Sequence, residues 1–181
     1  MAREIIGDEI DVFRNDEIPL DQVANYEKIL LSPGPGIPEE AGILLELIKT
    51  YGPSHSIFGV CLGEQAIGQA FGGNLINLPQ VFHGIATEIQ LMPALKPSHQ
   101  KNDWFGEMEN NIQVGRYHSW VISNDHLPES LEVTSKDNNG MIMSIRHKKY
   151  DVQGVQFHPE SVLTPTGKKM LENWLIPKVK G

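Results

Sequence analysis

Cys61 is the only cysteine in the chain, and it stands in Gly59-Val60-Cys61-Leu62-Gly63. The apolar run Ser56-Ile57-Phe58-Gly59-Val60 leads into it, and a helical stretch from about Leu62 to Phe71 follows. Glycine two residues before and two after a nucleophile, between strand and helix, is the nucleophile-elbow pattern with sulfur in place of oxygen. The tight turn strains the nucleophile's backbone and pushes its side chain out at the strand's C-terminal end. Bulky neighbours would collide there, so glycines flank it. The helix N-terminus favours thiolate over thiol, and the Leu62 N–H can face a developing oxyanion. A lone cysteine is also, in most proteins, a small buried hydrophobe, and the turn alone leaves both readings open.

A thiol of ordinary acidity gains from an adjacent histidine. Of seven histidines, His158 stands out in Gly154-Val155-Gln156-Phe157-His158-Pro159-Glu160-Ser161. It follows an apolar run and so falls at a strand end, where α/β sheets place their sites. Pro159 biases His158 toward extended backbone, and positions i and i+2 of an extended segment point the same way. Glu160 can therefore meet the imidazole, fix its tautomer and stabilise its cation, the third-member role of a triad. The plain alternative is a strand-end histidine beside a solvated glutamate. With one cysteine, neither the second Cys-x-x-Cys of a zinc deaminase nor a His-Glu-x-x-His motif is present, so no metal site is expected.

Ser32-Pro33-Gly34-Pro35-Gly36 occupies the strand-to-helix position of a phosphate loop. Two prolines remove N–H donors, and a Gly-x-Gly-x-x-Gly pattern and a P-loop lysine are both missing, which argues against nucleotide binding. A stiff loop remains, offering the N–H groups of Gly34 and Gly36 to a small carbonyl or carboxylate, or simply turning the chain.

These residues need a scaffold, and 181 residues, 40% of them hydrophobic, suffice for one globular domain spanning 1–181. Twenty-three acidic residues against 15 basic give a net charge of −8, which argues against phosphate-backbone binding. No run approaches the ~20 apolar residues of a membrane span, and the N-terminus lacks a signal peptide's apolar core. The lone cysteine fits a reducing compartment, so a soluble cytoplasmic domain is expected.

Strands are expected at 9–14, 28–32, 56–60, 74–78, 84–91, 114–122, 131–135, 141–146 and 152–157. Residues 2–6 read as the last turns of a helix stopped by Gly7. Further helices are expected from Pro38 to about Thr50, over 62–71 and over 166–175. Asp137-Asn138-Asn139-Gly140 suits a hairpin, and 93–113 reads as a polar surface excursion. Strand–helix alternation followed by consecutive strands points to an α/β sheet with an antiparallel extension.

The three motifs, in this order, resemble those of the triad (class I) glutamine amidotransferases. The segments Phe13-Arg14-Asn15-Asp16, Gln80-Val81-Phe82-His83-Gly84 and Arg116-Tyr117-His118-Ser119-Trp120 look like the glutaminase subunits of anthranilate synthase and aminodeoxychorismate synthase. The resemblance covers nearly everything from Gly7 to Trp174. It implies a flavodoxin-like fold with a mostly parallel central sheet flanked by helices.

It also implies roles. Cys61 would attack the side-chain amide of glutamine, His158 would move protons and Glu160 would orient His158. Gly34 and Leu62 would supply the oxyanion hole, and Gly34, Pro35, Gly36, Gln65, Ser119 and Trp120 would line the glutamine pocket. Ammonia would pass to a chorismate-binding synthase subunit of anthranilate synthase or aminodeoxychorismate synthase. No cofactor is implied in this chain; Mg2+ is expected on the partner.

Two departures stand out. Glu64 occupies the place where the family usually has His or Gln, and an inward-pointing carboxylate there would raise the thiol's pKa. Members also open with a hydrophobic strand, loop and most of a helix, so roughly twenty residues, including the first strand, are expected to be missing. A non-catalytic remnant acting in binding or assembly is the reading of a different class.

Overall fold

The computed structural model describes residues 1–92, 104–106 and 108–176. The elements in chain order are α1 (Ala2–Ile6), β1 (Lys28–Leu31), α2 (Leu44–Tyr51), β2 (Ser56–Val60) and α3 (Leu62–Ala70). Then follow β3 (Leu75–Asn77), β4 (Ile85–Leu91), β5 (Asn111–Arg116), β6 (Trp120–Ile122) and β7 (Leu131–Asp137). The series closes with β8 (Ile142–His147), β9 (Val152–Val155) and α4 (Gly167–Leu175). Seven strands form one sheet in the order β1-β2-β9-β8-β7-β4-β5, and β3 pairs with β6 in a second small sheet.

Strand β2 shows how sequence sets the layers. Its side chains alternate between faces, as strand geometry requires. Ile57 joins a core with Leu44, Leu47 and Ile48 of α2 and Ala66 and Ile67 of α3. Phe58 and Val60 join the opposite core with Trp104, Phe157, Met170 and Trp174. A strand buried on both faces reads as a continuous apolar run, and this one does. Helices α2 and α3 cover one side; α4 covers the other, with Trp174 Nε1 donating to Ser56 Oγ at 3.0 Å. Lys28 of β1 reaches the C-terminus of α4, donating to the carbonyls of Trp174 and Leu175 at 2.6 and 2.9 Å. A cation suits the negative end of a helix.

The α/β class holds, with a different balance inside the sheet. Among the described residues only β1–β2 and β2–β9 are parallel, whereas β9–β8, β8–β7, β7–β4 and β4–β5 are antiparallel. The sheet is mixed because its antiparallel extension supplies four of the seven strands. The short turn at 138–141 joins β7 to β8 as a hairpin, held by Asp137 Oδ1 accepting from the N–H groups of Asn139 and Met141.

Four expectations are corrected. Residues 9–14 are not a strand: their period-2 pattern is present, but among the described residues no strand pairs with them, and Val12 and Phe13 stay 73% and 47% exposed. Tyr26 steadies the segment instead, donating to Asp11 Oδ2 at 2.8 Å and packing edge-on against Phe13. The helix expected from Pro38 breaks into a 3-10 turn at Pro38–Glu40 and the helix α2, because Gly42 takes a positive φ of 56° between them. The strand expected over 114–122 is two strands, interrupted at Tyr117–Ser119. The expected excursion at 93–113 lies mostly outside the described residues, yet Trp104 and Phe105 are core residues and Asn111–Arg116 is β5.

Candidate active site

The chain turns from β2 into α3 at Cys61, whose backbone is left-handed, φ 53° and ψ −102°. A non-glycine residue there is strained, and strain of this kind persists only where the surroundings enforce it. The flanking glycines are part of that enforcement. A Cβ on Gly59 would stand 2.4 Å from the carbonyl carbon of Gly63, and one on Gly63 would stand 2.5 Å from the carbonyl oxygen of Leu31. Neither position admits a side chain. The Cys61 N–H completes the turn by donating to the Val155 carbonyl at 2.7 Å.

Cys61 is 7% exposed, and its surroundings oppose ionisation. Burial, reinforced by the Glu64 carboxylate, pushes the thiol up to about 12, while the Leu62 N–H and the Gln156 amide pull the other way. The helix start was expected to favour thiolate; its Leu62 amide does act in that direction, but desolvation wins. Glu64 does point inward. It is 0% exposed, neither carboxylate oxygen has a hydrogen-bond partner among the described residues, and burial drives its own pKa well above the ordinary range. Its side chain packs on Gly154 of β9, where a Cβ would fall 2.9 Å from the Glu64 Cβ.

His158 and Glu160 meet as their spacing implies, with Nδ1 2.8 Å from Oε1. A carboxylate only accepts, so Nδ1 carries a proton, and in the neutral ring Nε2 keeps the lone pair. Nε2 is buried and has no hydrogen-bond partner among the described residues. The His158 backbone is fixed from both sides: its N–H donates to Gly115 at 3.0 Å and its carbonyl accepts from Thr164 Oγ1 at 2.7 Å. Partial burial pushes the Glu160 carboxyl up, but the hydrogen bonds from His158 and from its own backbone N–H leave it below its usual value. Tyr117 links the two halves of the site. Its carbonyl lies 4.0 Å from Cys61 Sγ, and its ring meets the His158 ring edge-on at 4.9 Å. Tyr117, His158, Glu160, Ser161 and Val162 line an open cleft of about 330 Å³.

The remaining expected site residues divide. Gly34 packs against Leu62, close enough that a Cβ would fall 2.9 Å from Leu62 Cδ2, so the proline–glycine loop does reach the elbow. Gly34, Pro35 and Gly36 are all exposed, with Gly36 at φ +78°. Gln65 and Trp120 are joined directly, Gln65 Nε2 donating to the Trp120 carbonyl at 2.9 Å. Ser119 is half-buried, and its carbonyl accepts from the Leu78 N–H. Gln156, Tyr117 and His118 had no assigned role in the sequence. A glutamine inside the apolar run of β9 and Phe157 was the available signal for the first, since a wholly buried amide needs partners.

Comparisons with known proteins fall on this geometry. The family model described as "Glutamine amidotransferase class-I" matches residues 4–178. Anthranilate synthase component 2 of Cyanophora paradoxa is 44% identical over 170 residues, covering 91% of this chain and 84% of that protein. Aminodeoxychorismate/anthranilate synthase component 2 of Bacillus subtilis is 40% identical over 172 residues, covering 94% and 84%. The bifunctional protein TrpGD of Thermotoga maritima is 43% identical over 169 residues; the match takes in 92% of this chain but 27% of that longer protein. Among solved structures, a putative GMP synthase protein from Thermoplasma acidophilum shares the fold with a TM-score of 0.80 at 23% identity, covering 96% of this chain and 83% of that one. With a family model that spans almost its whole length and relatives above 40% identity, the chain belongs to the class-I glutamine amidotransferases.

Proposed function

We propose that this chain is the glutaminase subunit of a chorismate-using synthase, anthranilate synthase in the first instance. The observation that carries the reading is the His158–Glu160 pair, which holds one imidazole nitrogen and leaves Nε2 buried and unpartnered among the described residues. Nε2 takes the Cys61 proton, and the sulfur attacks the side-chain amide carbon of glutamine. The carbonyl electrons move onto oxygen, toward the N–H groups of Gly34 and Leu62. As the tetrahedral adduct collapses, the imidazolium returns its proton to the departing nitrogen and ammonia leaves. Water, deprotonated by Nε2, then attacks the γ-glutamyl thioester; glutamate departs and the thiol is restored. Gly34, Pro35, Gly36, Gln65, Ser119 and Trp120 line the glutamine pocket in this reading.

The ammonia is consumed by a partner synthase subunit that binds chorismate. Support for that partner comes from relatives named anthranilate synthase component 2. A second reading, the aminodeoxychorismate pathway, is favoured by the Bacillus subtilis relative, whose name covers both reactions. Glutamate release by the purified chain and by Cys61→Ser, each with and without a chorismate-binding synthase partner, tests the proposal. The reading expects turnover stimulated by the partner and abolished in the variant. Equal, slow release by both proteins in every mixture would exclude it.

A further inference from the structure

The carbonyl of Trp120 can only accept hydrogen bonds, and that fixed polarity orients a buried chain of side chains. Gln65 Nε2 donates to it at 2.9 Å, which settles the Gln65 amide. The same nitrogen donates to Gln156 Oε1 at 3.1 Å, which settles the second amide in turn. Gln156 therefore turns its Nε2 toward Cys61, 3.5 Å from Sγ. The other side of the carbonyl agrees. A guanidinium can only donate, and Arg116 Nε donates to His118 Nε2 at 3.0 Å. The His118 proton is thus on Nδ1, which donates to the Trp120 carbonyl at 3.0 Å. Arg116 is anchored by Asp137 Oδ2 at 2.7 Å and lies 3.6 Å above the Phe82 ring.

We propose that Gln156 is a catalytic residue, the hydrogen-bond donor that stabilises the Cys61 thiolate, with Gln65 as the positioning residue that aims it. The catalytic consequence rests on the glutaminase reading; the orientation of the amides does not. A neutral amide donating to sulfur favours the anion without adding a charge that the buried site must solvate. Among the described residues, the other groups that act on Cys61 are the Leu62 N–H and Glu64 from α3, the Tyr117 carbonyl, and Glu160, the partner of His158, beyond β9. Of these the Leu62 N–H helps the thiolate, and the two carboxylates oppose it. Burial keeps His118 neutral, with Arg116 adding to the effect and its pKa pushed down to about 3, so the chain keeps its polarity across the working pH range.

The test needs no glutamine, so its outcome is separable from that of the glutaminase reading. Because Cys61 is the only cysteine, iodoacetamide alkylation of the full chain reports on it alone. Between pH 7 and 9 the wild-type rate rises with thiolate fraction. Gln156→Met should displace that line downward about tenfold at every pH, the loss of one charge-assisted hydrogen bond. Gln65→Met, which frees the Gln156 amide to turn, should lower the rate severalfold. The double variant should be no slower than Gln156→Met alone. If Gln156→Met does not fold, the Gln65→Met result decides by itself. An unchanged rate in either folded single variant, or losses that simply add in the double, would overturn the proposal.

Discussion

Glu64 lies one turn along α3 from Cys61, wholly buried, with neither carboxylate oxygen hydrogen-bonded to any described residue, and its charge opposes the thiolate. Two acidic groups thus share one dry site, and both are held toward their neutral forms.

That arrangement makes stability depend on pH. Glu64 keeps its proton in the folded chain well above the pH at which an unfolded glutamate releases it. Its contribution is complete below the unfolded pKa and fades as pH rises toward the folded value. Glu64→Gln should therefore gain on wild type by up to about 1.4 kcal/mol per pH unit above pH ~4.5. Urea unfolding of both proteins at pH 5, 6 and 7 measures the divergence; parallel curves would contradict the assignment.

His118 acts with the opposite sign. Burial, with Arg116 beside it, depresses its pKa to about 3, so the unfolded chain takes up a proton that the folded chain refuses. The stability it contributes is present above pH ~6.5 and is lost as pH falls toward 3. At pH 5 the loss should be about 2 kcal/mol. In His118→Gln, an amide can still accept from Arg116 and donate to Trp120, and stability should fall less between pH 7.5 and 5. Denaturant midpoints at the two pH values give the comparison.

Arg116 and Asp137 form a fully desolvated pair 2.7 Å apart. Removing one partner strands the other. Arg116→Met should cost about 3–5 kcal/mol, and Arg116→Met with Asp137→Asn, which removes the stranded charge and keeps the Oδ1 acceptor of the hairpin, should cost less than the single change. Thermal melts of the three proteins check the order.

Gly63 carries no side chain because the Leu31 carbonyl oxygen stands where its Cβ would be, at 2.5 Å. Gly63→Ala should lower stability by about 3 kcal/mol or more by forcing β1 and α3 apart. Gly140→Ala is a comparison with nothing within 4 Å of the added carbon but a φ of +78°, so its cost should be limited to about 1–2 kcal/mol of backbone strain. Unfolding free energies of the two variants give the difference.

The readable parts of this molecule were those whose cause is local. Gly59 and Gly63 advertise the elbow because crowding at one turn demands them, and Pro159 aligns His158 with Glu160 within three residues. The corrected parts depend on distant chain. The alternation at 9–14 specifies a strand only if another strand pairs with it, and Gly42 breaks a good helical pattern because its Cβ would meet the Asn15 carbonyl oxygen at 2.8 Å. The inward turn of Glu64 follows from packing on Gly154, ninety residues away in sequence. The amide polarity at Cys61 comes from the Trp120 carbonyl through Gln65, so no spacing within the Gly-Val-Gln-Phe-His-Pro-Glu segment encodes it.

The proposed function stands on acylation of Cys61 by glutamine with His158 as the base. Acid quenching of the chain with glutamine and its synthase partner, followed by mass spectrometry of the Cys61 peptide, tests it directly. The account predicts a γ-glutamyl thioester on Cys61 that is missing in Cys61→Ser and strongly reduced in His158→Ala. Glutamate release with no adduct on Cys61, at a rate unchanged in Cys61→Ser, would contradict it.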